Sequence, residues 1–430
     1  MSVKQSKSSI TADTGIDLEF KNATRKKQQQ LVTEFYQNPN DDPVVYLFVG
    51  GNPSEIFRAM GFQVYMPEIT ALTTAIRHQS LEYILKAESI GYGLDVCGYV
   101  KTDIGMTHLS GGETDFGKIP KPDLLVCNFS GCSVYYKWWE SLAEFYKVPL
   151  IMLDIPYQRF EDPQDIDMEY IITQLHEMVE KVEKLFERQL DKNKLRVALE
   201  LARKAEDGWA RSFEIAKNKP TPIDAYFESI FYMFPINALR GSQEAVDFYD
   251  LLNKELDERV KYGIGPVENE EIRIVMEGVP PYPGYRAFWD MFRRWNAPSV
   301  AATYPKVGGM FDMENMRHDP VKPWESIAEY SLYSYCNLSW EFRRETIKNY
   351  LKDFDAEALV IHGIKSCRSF TAGQGDLRDY VVNDLGYPAL YVESDHQDPR
   401  YWAEAQIRNR VDAFFETIKR NKSLNMEVKA

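Results

Sequence analysis

Short apolar runs alternate with amphipathic stretches over most of this chain. VVYLFVG (44–50) is a buried-strand pattern that exits through Gly50-Gly51-Asn52-Pro53. Pro53-Ser54-Glu55 opens a helical stretch, GFQVYMPE (61–68) reads as a second strand, and a helix is expected from about Leu72 to Ile90. DLLVCNF (123–129) predicts a third strand, SVYYKWWESLAEFYK (133–147) a helix, and VPLIMLDIP (148–156) a fourth strand. Strands that alternate with helices imply a parallel sheet covered on its faces.

From residue 164 to about 262 the pattern changes. Apolar residues recur at helical spacing without a strand signal, broken at Lys219-Pro220-Thr221-Pro222. The charges of this section read as a solvated face. Alternation then restarts. EIRIVMEGVPPYPG (271–284), PSVAATYP (298–305), EALVIHG (357–363) and YPALYVESD (387–395) read as strands. Helices are expected over YRAFWDMFRRW (285–295), from Trp324 to Phe354, over most of 369–386 and over 403–421. Pro280-Pro281 and Pro283-Gly284 shape the loop after the strand at 271–278. The expected organisation is an N-terminal helical segment (1–40), a first α/β domain (41–163), a helical insert (164–265) and a second α/β domain (266–430). The fold class is α/β, with two Rossmann-like or flavodoxin-like parallel-sheet domains.

Length agrees with this division, since 430 residues exceed one ordinary core. A formal charge of −14 argues against nucleic acid as the main partner. The polar start, MSVKQSKSSITADTG, lacks the apolar centre of a signal peptide, and no apolar run is long enough to span a bilayer. A cytoplasmic protein with no membrane partner is expected. Five cysteines are too few and too odd a number for a disulfide framework.

The cysteines carry the candidate chemistry. Cys132 and Cys367 hold matching places in the two halves, each after a strand and a few small or polar residues and just before a helix. Cys97, in GLDVCGYVKTD, follows a helical run. Open α/β sheets bind ligands outside the carboxyl ends of their strands. A thiol there meets free N–H groups and the positive end of a helix dipole, which favour thiolate. Three thiolates meeting across a cleft would suit zinc, copper(I) or an iron–sulfur cluster and would leave one metal position open. The residues alone leave open a bland alternative, three buried thiols packed as small apolar groups. Cys127 reads as strand core, and Cys336 as packing within a long tyrosine-rich helix.

Other features carry less. GETDFGK (112–118) has P-loop spacing, but Ile119 stands where Ser or Thr should ligate magnesium, so it is not a nucleotide site. His78, His108 and His362 show no ligand spacing; each reads as a hydrogen-bonded structural residue, with proton donor as the alternative. Lys101, Lys365 and Arg368 flank the cysteines and read as surface charge or as a local basic pocket for an anionic cofactor arm. Tyr135, Tyr136, Trp138 and Trp139, with Tyr330, Tyr333 and Tyr335, read as helix core and, alternatively, as the walls of a dry site.

Three stretches, DVCGYVKTDIGM (95–106), PDLLVCNFSGCSVYYKWWE (122–140) with VPLIMLDIPYQ (148–158), and ALVIHGIKSCRSFTAGQGDLRDYV (358–381), carry a resemblance. The chain resembles the family of benzoyl-CoA reductases and 2-hydroxyacyl-CoA dehydratases, nearest to the B subunits of the ATP-dependent, class I reductases. The resemblance runs from about residue 40 to 420. It implies that Cys97, Cys132 and Cys367 hold a [4Fe–4S] cluster. It also implies a homologous paired subunit, ATP-hydrolysing activator subunits and ferredoxin as the electron donor to the complex. The implied substrate is an aromatic acyl-CoA, reduced by two electrons and two protons to a cyclic dienoyl-CoA. The alternatives are a 2-hydroxyacyl-CoA dehydratase subunit and a cluster-bearing relay or scaffold subunit.

Overall fold

The computed structural model describes residues 18–429 except 39, 161 and 307–315. The polar stretch 1–15 lies outside the described residues. The strands are β1 (Val44–Tyr46), β2 (Gln63–Tyr65), β3 (Glu113–Thr114), β4 (Gly117–Lys118), β5 (Leu124–Phe129), β6 (Leu150–Asp154), β7 (Ile274–Glu277), β8 (Ser299–Ala302), β9 (Ala358–Ile364) and β10 (Ala389–Ser394). Eight of them build two four-stranded sheets, ordered β2-β1-β5-β6 and β10-β9-β7-β8. All pairs in both sheets are parallel. In the first sheet the chain reverses direction beside β1, and Cys132 follows β5, the strand next to that switch point. In the second it reverses beside β7, and Cys367 follows β9, again the strand next to the switch. The two halves therefore place a cysteine at equivalent points. The central strands are apolar because both of their faces are covered, whereas the edge strands β6 and β10 alternate buried and accessible residues. All seven residues of β9 and all four of β7 are buried.

The remaining pair, β3 and β4, is an antiparallel hairpin inside GETDFGK, which removes the strand–loop–helix context that a P-loop needs. The middle section is helical, with long helices at Asp165–Phe186, Lys192–Glu214 and Gln243–Tyr262. The second begins where the Asp191 carboxylate accepts N–H bonds from Asn193 and Lys194, and it buries Leu195, Leu199, Ala202, Trp209 and Phe213 on one face. The N-terminal segment contributes the helix Lys21–Glu34. Among the described residues, no helix is long and apolar enough to cross a membrane.

Three expected helices are broken. Leu72–Ile90 divides into Pro67–Ile76 and Ser80–Ser89, with His78 at φ +61° between them. The Trp324–Phe354 stretch becomes Pro323–Leu332, a turn at Tyr335–Asn337, and Trp340–Asp353. Polar side chains compete for the backbone at that break. Asn337 Nδ2 donates to the carbonyls of Pro156 and Leu332, and Ser339 Oγ accepts the Phe342 N–H that starts the next helix. The stretch 369–386 is interrupted at Gly373, whose φ is +84°.

Candidate active site

The carboxyl ends of the two sheets face each other and are sewn together by small polar groups. Ser130 Oγ donates to the Ser331 carbonyl at 2.6 Å, Ser331 Oγ to the Gly51 carbonyl at 2.8 Å, and Ser369 Oγ to the Gly131 carbonyl at 2.9 Å. The Gly98 N–H donates to Ser366 Oγ at 3.1 Å. These bonds draw the loops of Cys97, Cys132 and Cys367 to one place. Gly131 shows how tight the junction is. It stands at φ +84°, and a Cβ there would lie 2.1 Å from the carbonyl oxygen of Cys336.

The three thiols expected to act together are electrostatic neighbours. Cys97 senses Cys367 and Cys132, and Cys367 senses Cys132. Each stands at a helix start. The sulfur of Cys97 faces the N–H groups of Tyr99 and Val100, that of Cys132 the N–H groups of Val134 and Tyr135, and that of Cys367 the N–H of Phe370. The expectation of lowered thiol pKa values is corrected here. Burial outweighs the helix-end N–H groups and pushes all three thiols up, Cys367 to about 12. Neighbouring thiols add to the effect at Cys97 and Cys367. The free thiols are therefore protonated at neutral pH, and a bound cation must draw their protons off. His396 adds a further contact, with Nε2 3.8 Å from the Cys97 sulfur.

Cys127 is fully buried in β5, as expected of core. Cys336 is not where the sequence suggested. It stands in the turn Tyr335–Asn337, partly accessible, and its thiol senses Cys367 and Cys132. The cations flanking the cysteines are otherwise engaged. Lys101 is buried against Glu88 at 3.0 Å, Lys365 pairs with Glu393 at 2.8 Å, and exposed Arg368 reaches Asp95 at 3.4 Å. A buried cation near the thiols is Arg343. Its Nη2 donates to Glu277 at 2.7 Å and to the Phe370 carbonyl at 3.2 Å. His362 is structural, held between the Val279 carbonyl and Ser394 Oγ, and burial lowers its pKa to about 4.

One buried carboxyl and a group of tyrosine hydroxyls lie near the thiols. Glu68 lies in the first turn of Pro67–Ile76. Its Oε1 accepts the Val49 N–H at 3.0 Å, while Oε2 completes no hydrogen bond among the described residues, although the Tyr135 hydroxyl lies close to the carboxyl. Burial raises its pKa to about 8, and Cys132, Tyr135 and Tyr304 all sense its charge. Tyr99, Tyr282 and Tyr304 close a ring of hydroxyls at 3.2, 3.0 and 2.8 Å. That ring ties the helix after Cys97 to the loop after β7 and the exit of β8. Tyr135, Trp138 and Trp139 pack as core, whereas Tyr330 and Tyr335 are bonded to Arg240 and Glu277.

Among the described residues, several buried polar atoms near this cleft have no hydrogen-bond partner. They include Glu68 Oε2, Asn128 Oδ1, Ser334 Oγ, Arg343 Nε, both amide atoms of Gln374 and His396 Nδ1. Among the described residues, no three His, Cys, Asp or Glu side chains are close enough to hold a single metal ion. The donors that meet here are thiols facing helix-end N–H groups. That donor set fits an iron–sulfur cluster, in which each thiolate takes a different iron.

A family model described as 2-hydroxyglutaryl-CoA dehydratase, D-component, matches residues 51–418. The chain is 35% identical over 417 residues to the B subunit of benzoyl-CoA reductase from Thauera aromatica, a match covering 94% of this chain and 96% of that protein. It is 28% identical to the (R)-phenyllactyl-CoA dehydratase alpha subunit of Clostridium sporogenes, over 85% of this chain and 87% of that one. It is 26% identical to the (R)-2-hydroxyisocaproyl-CoA dehydratase alpha subunit of Clostridioides difficile, over 87% of this chain and 90% of that one.

Proposed function

The chain belongs to the 2-hydroxyglutaryl-CoA dehydratase, D-component family, and from that premise we propose that it is the catalytic iron–sulfur subunit of an ATP-dependent aromatic acyl-CoA reductase. The observation that carries the proposal is the meeting of Cys97, Cys132 and Cys367 at the joined carboxyl ends of two parallel sheets. The identity to a benzoyl-CoA reductase subunit supports the choice of an aromatic thioester. The relatives are subunits, which supports a homologous paired subunit. ATP-hydrolysing activator subunits and a ferredoxin donor complete the proposed assembly, a cytoplasmic one.

Cys97, Cys132 and Cys367 would hold a [4Fe–4S] cluster. Bound there, the cluster supplies single electrons at low potential. The ring of the acyl-CoA gains two electrons and two protons and becomes a cyclic dienoyl-CoA. Adding an electron to an aromatic ring needs a dry site and an acid at hand. Tyr135 and the tyrosine ring exclude water. Glu68 keeps a proton at neutral pH on a carboxyl whose second oxygen is unengaged. Arg343 supplies a buried positive charge near Cys367 and Cys336, which offsets the negative charge of a reduced cluster.

A second reading, a 2-hydroxyacyl-CoA dehydratase subunit, is favoured by the dehydratase alpha subunits among the relatives. One assay separates the two. The anaerobically purified complex is given benzoyl-CoA or a 2-hydroxyacyl-CoA, with ATP and a low-potential donor. Diene formation is expected from the first and no dehydration of the second. Iron and acid-labile sulfide should be present and should fall in C97A, C132A and C367A. Zinc in place of iron, or iron indifferent to all three substitutions, would overturn the proposal.

A further inference from the structure

Cys336 stands beside the thiols of Cys132 and Cys367, in a turn held by hydrogen bonds on both sides. Both of its chain neighbours are tied down. The Tyr335 hydroxyl donates to Glu277 Oε2 at 2.9 Å, and Asn337 donates through its N–H to the Ser334 carbonyl at 2.7 Å and through Nδ2 to Pro156 and Leu332. The backbone of Cys336 lies directly against Gly131, the residue before Cys132, so closely that no side chain fits between them. The ring of Tyr335 stacks on that of Phe370, three residues beyond Cys367, with centroids 5.5 Å apart. Gly131 is bonded in turn to Ser369. The loops of Cys132, Cys336 and Cys367 thus form a closed triangle.

We propose that Cys336 is a fourth thiolate ligand of the iron–sulfur group held by Cys97, Cys132 and Cys367, closing its open position while no acyl-CoA is bound. The inference rests on the reading of those three residues as cluster ligands. The Cys336 thiol loses its proton as sulfur bonds iron and regains one when an oxygen donor of the substrate displaces it. The Cys336 sulfur senses Cys367 and Cys132, the same two thiols that the Cys97 sulfur senses. Arg343, with its guanidinium 5.1 Å from the Tyr335 ring centroid, lies between the Cys336 and Cys367 loops and balances the added negative charge.

The test compares the anaerobic, substrate-free complex with its C336A and C336S forms, using 57Fe Mössbauer spectra and the EPR response of the reduced complex to imidazole. Three thiols still suffice to hold the group, so the iron content of C336A should match the wild type. One iron should become distinct in the difference spectrum and bind imidazole. In C336S one iron should shift toward oxygen ligation. Spectra of wild type and C336A that coincide, and respond alike to imidazole, overturn this inference and leave the three-cysteine reading standing. Loss of all iron in both variants also overturns it, because the serine preserves the fold. A wild-type complex without iron and sulfide sinks the three-cysteine reading itself.

Discussion

Replacing Glu68 by glutamine removes one ionisable proton and keeps the acceptor that the Val49 N–H uses. Burial raises the carboxyl from 4.5 to about 8, so ionising it inside the fold costs about 5 kcal/mol relative to water. The sign follows from linkage. Below pH 4.5 the carboxyl is protonated in both folded and unfolded chains and costs nothing. As pH rises the unfolded chain ionises first, and the penalty on the folded state grows until both are ionised above about pH 8. Its size is about 1 kcal/mol at pH 5, about 3 at pH 7 and nearly 5 at pH 8.5. E68Q should therefore gain stability over the wild type by these amounts, read as the change in urea midpoint multiplied by the m-value at each pH. Reduction of the aromatic thioester should fall by about 100- to 10,000-fold in the same variant, the usual span for a lost general acid. Wild-type and E68Q stability curves that run parallel from pH 5 to 8.5 would refute the raised carboxyl pKa. An undiminished rate would refute its use as the acid.

G131A should lose iron and melt earlier, because its methyl meets the Cys336 carbonyl. G111A, at φ +61° in open space, should cost only about 1–2 kcal/mol of backbone strain; equal effects in the two would refute the tight junction. R343M leaves Glu277 buried without its cation and should cost about 3–5 kcal/mol by urea unfolding, with much of it recovered in E277Q/R343M. Strict additivity in that double-mutant cycle would show that the pair is not coupled. Y99F opens the hydroxyl ring and should destabilise by about 1–3 kcal/mol. No change in its thermal midpoint would refute the ring's role in holding the helix after Cys97.

The sequence determined the elements that local pattern and backbone chemistry dictate. Eight apolar runs of strand length became eight parallel strands, and the central β7 and β9 are buried along their whole length because both of their faces are covered. Cys132 and Cys367 were legible as a pair because strand, small residues, cysteine and helix recur in order. Only the tertiary structure decided the rest. It divided the tyrosine-rich stretch at Tyr335–Asn337, where Asn337 and Ser339 bond to the backbone, and so moved Cys336 from core to cleft. It joined Glu68 and Arg343 to cysteines far away in the chain, and it reversed the expected direction of the thiol pKa shifts. Periodicity reports only which face of an element is buried. Desolvation and charge coupling depend on distances between elements that lie far apart in sequence, and those exist only once the two sheets have met.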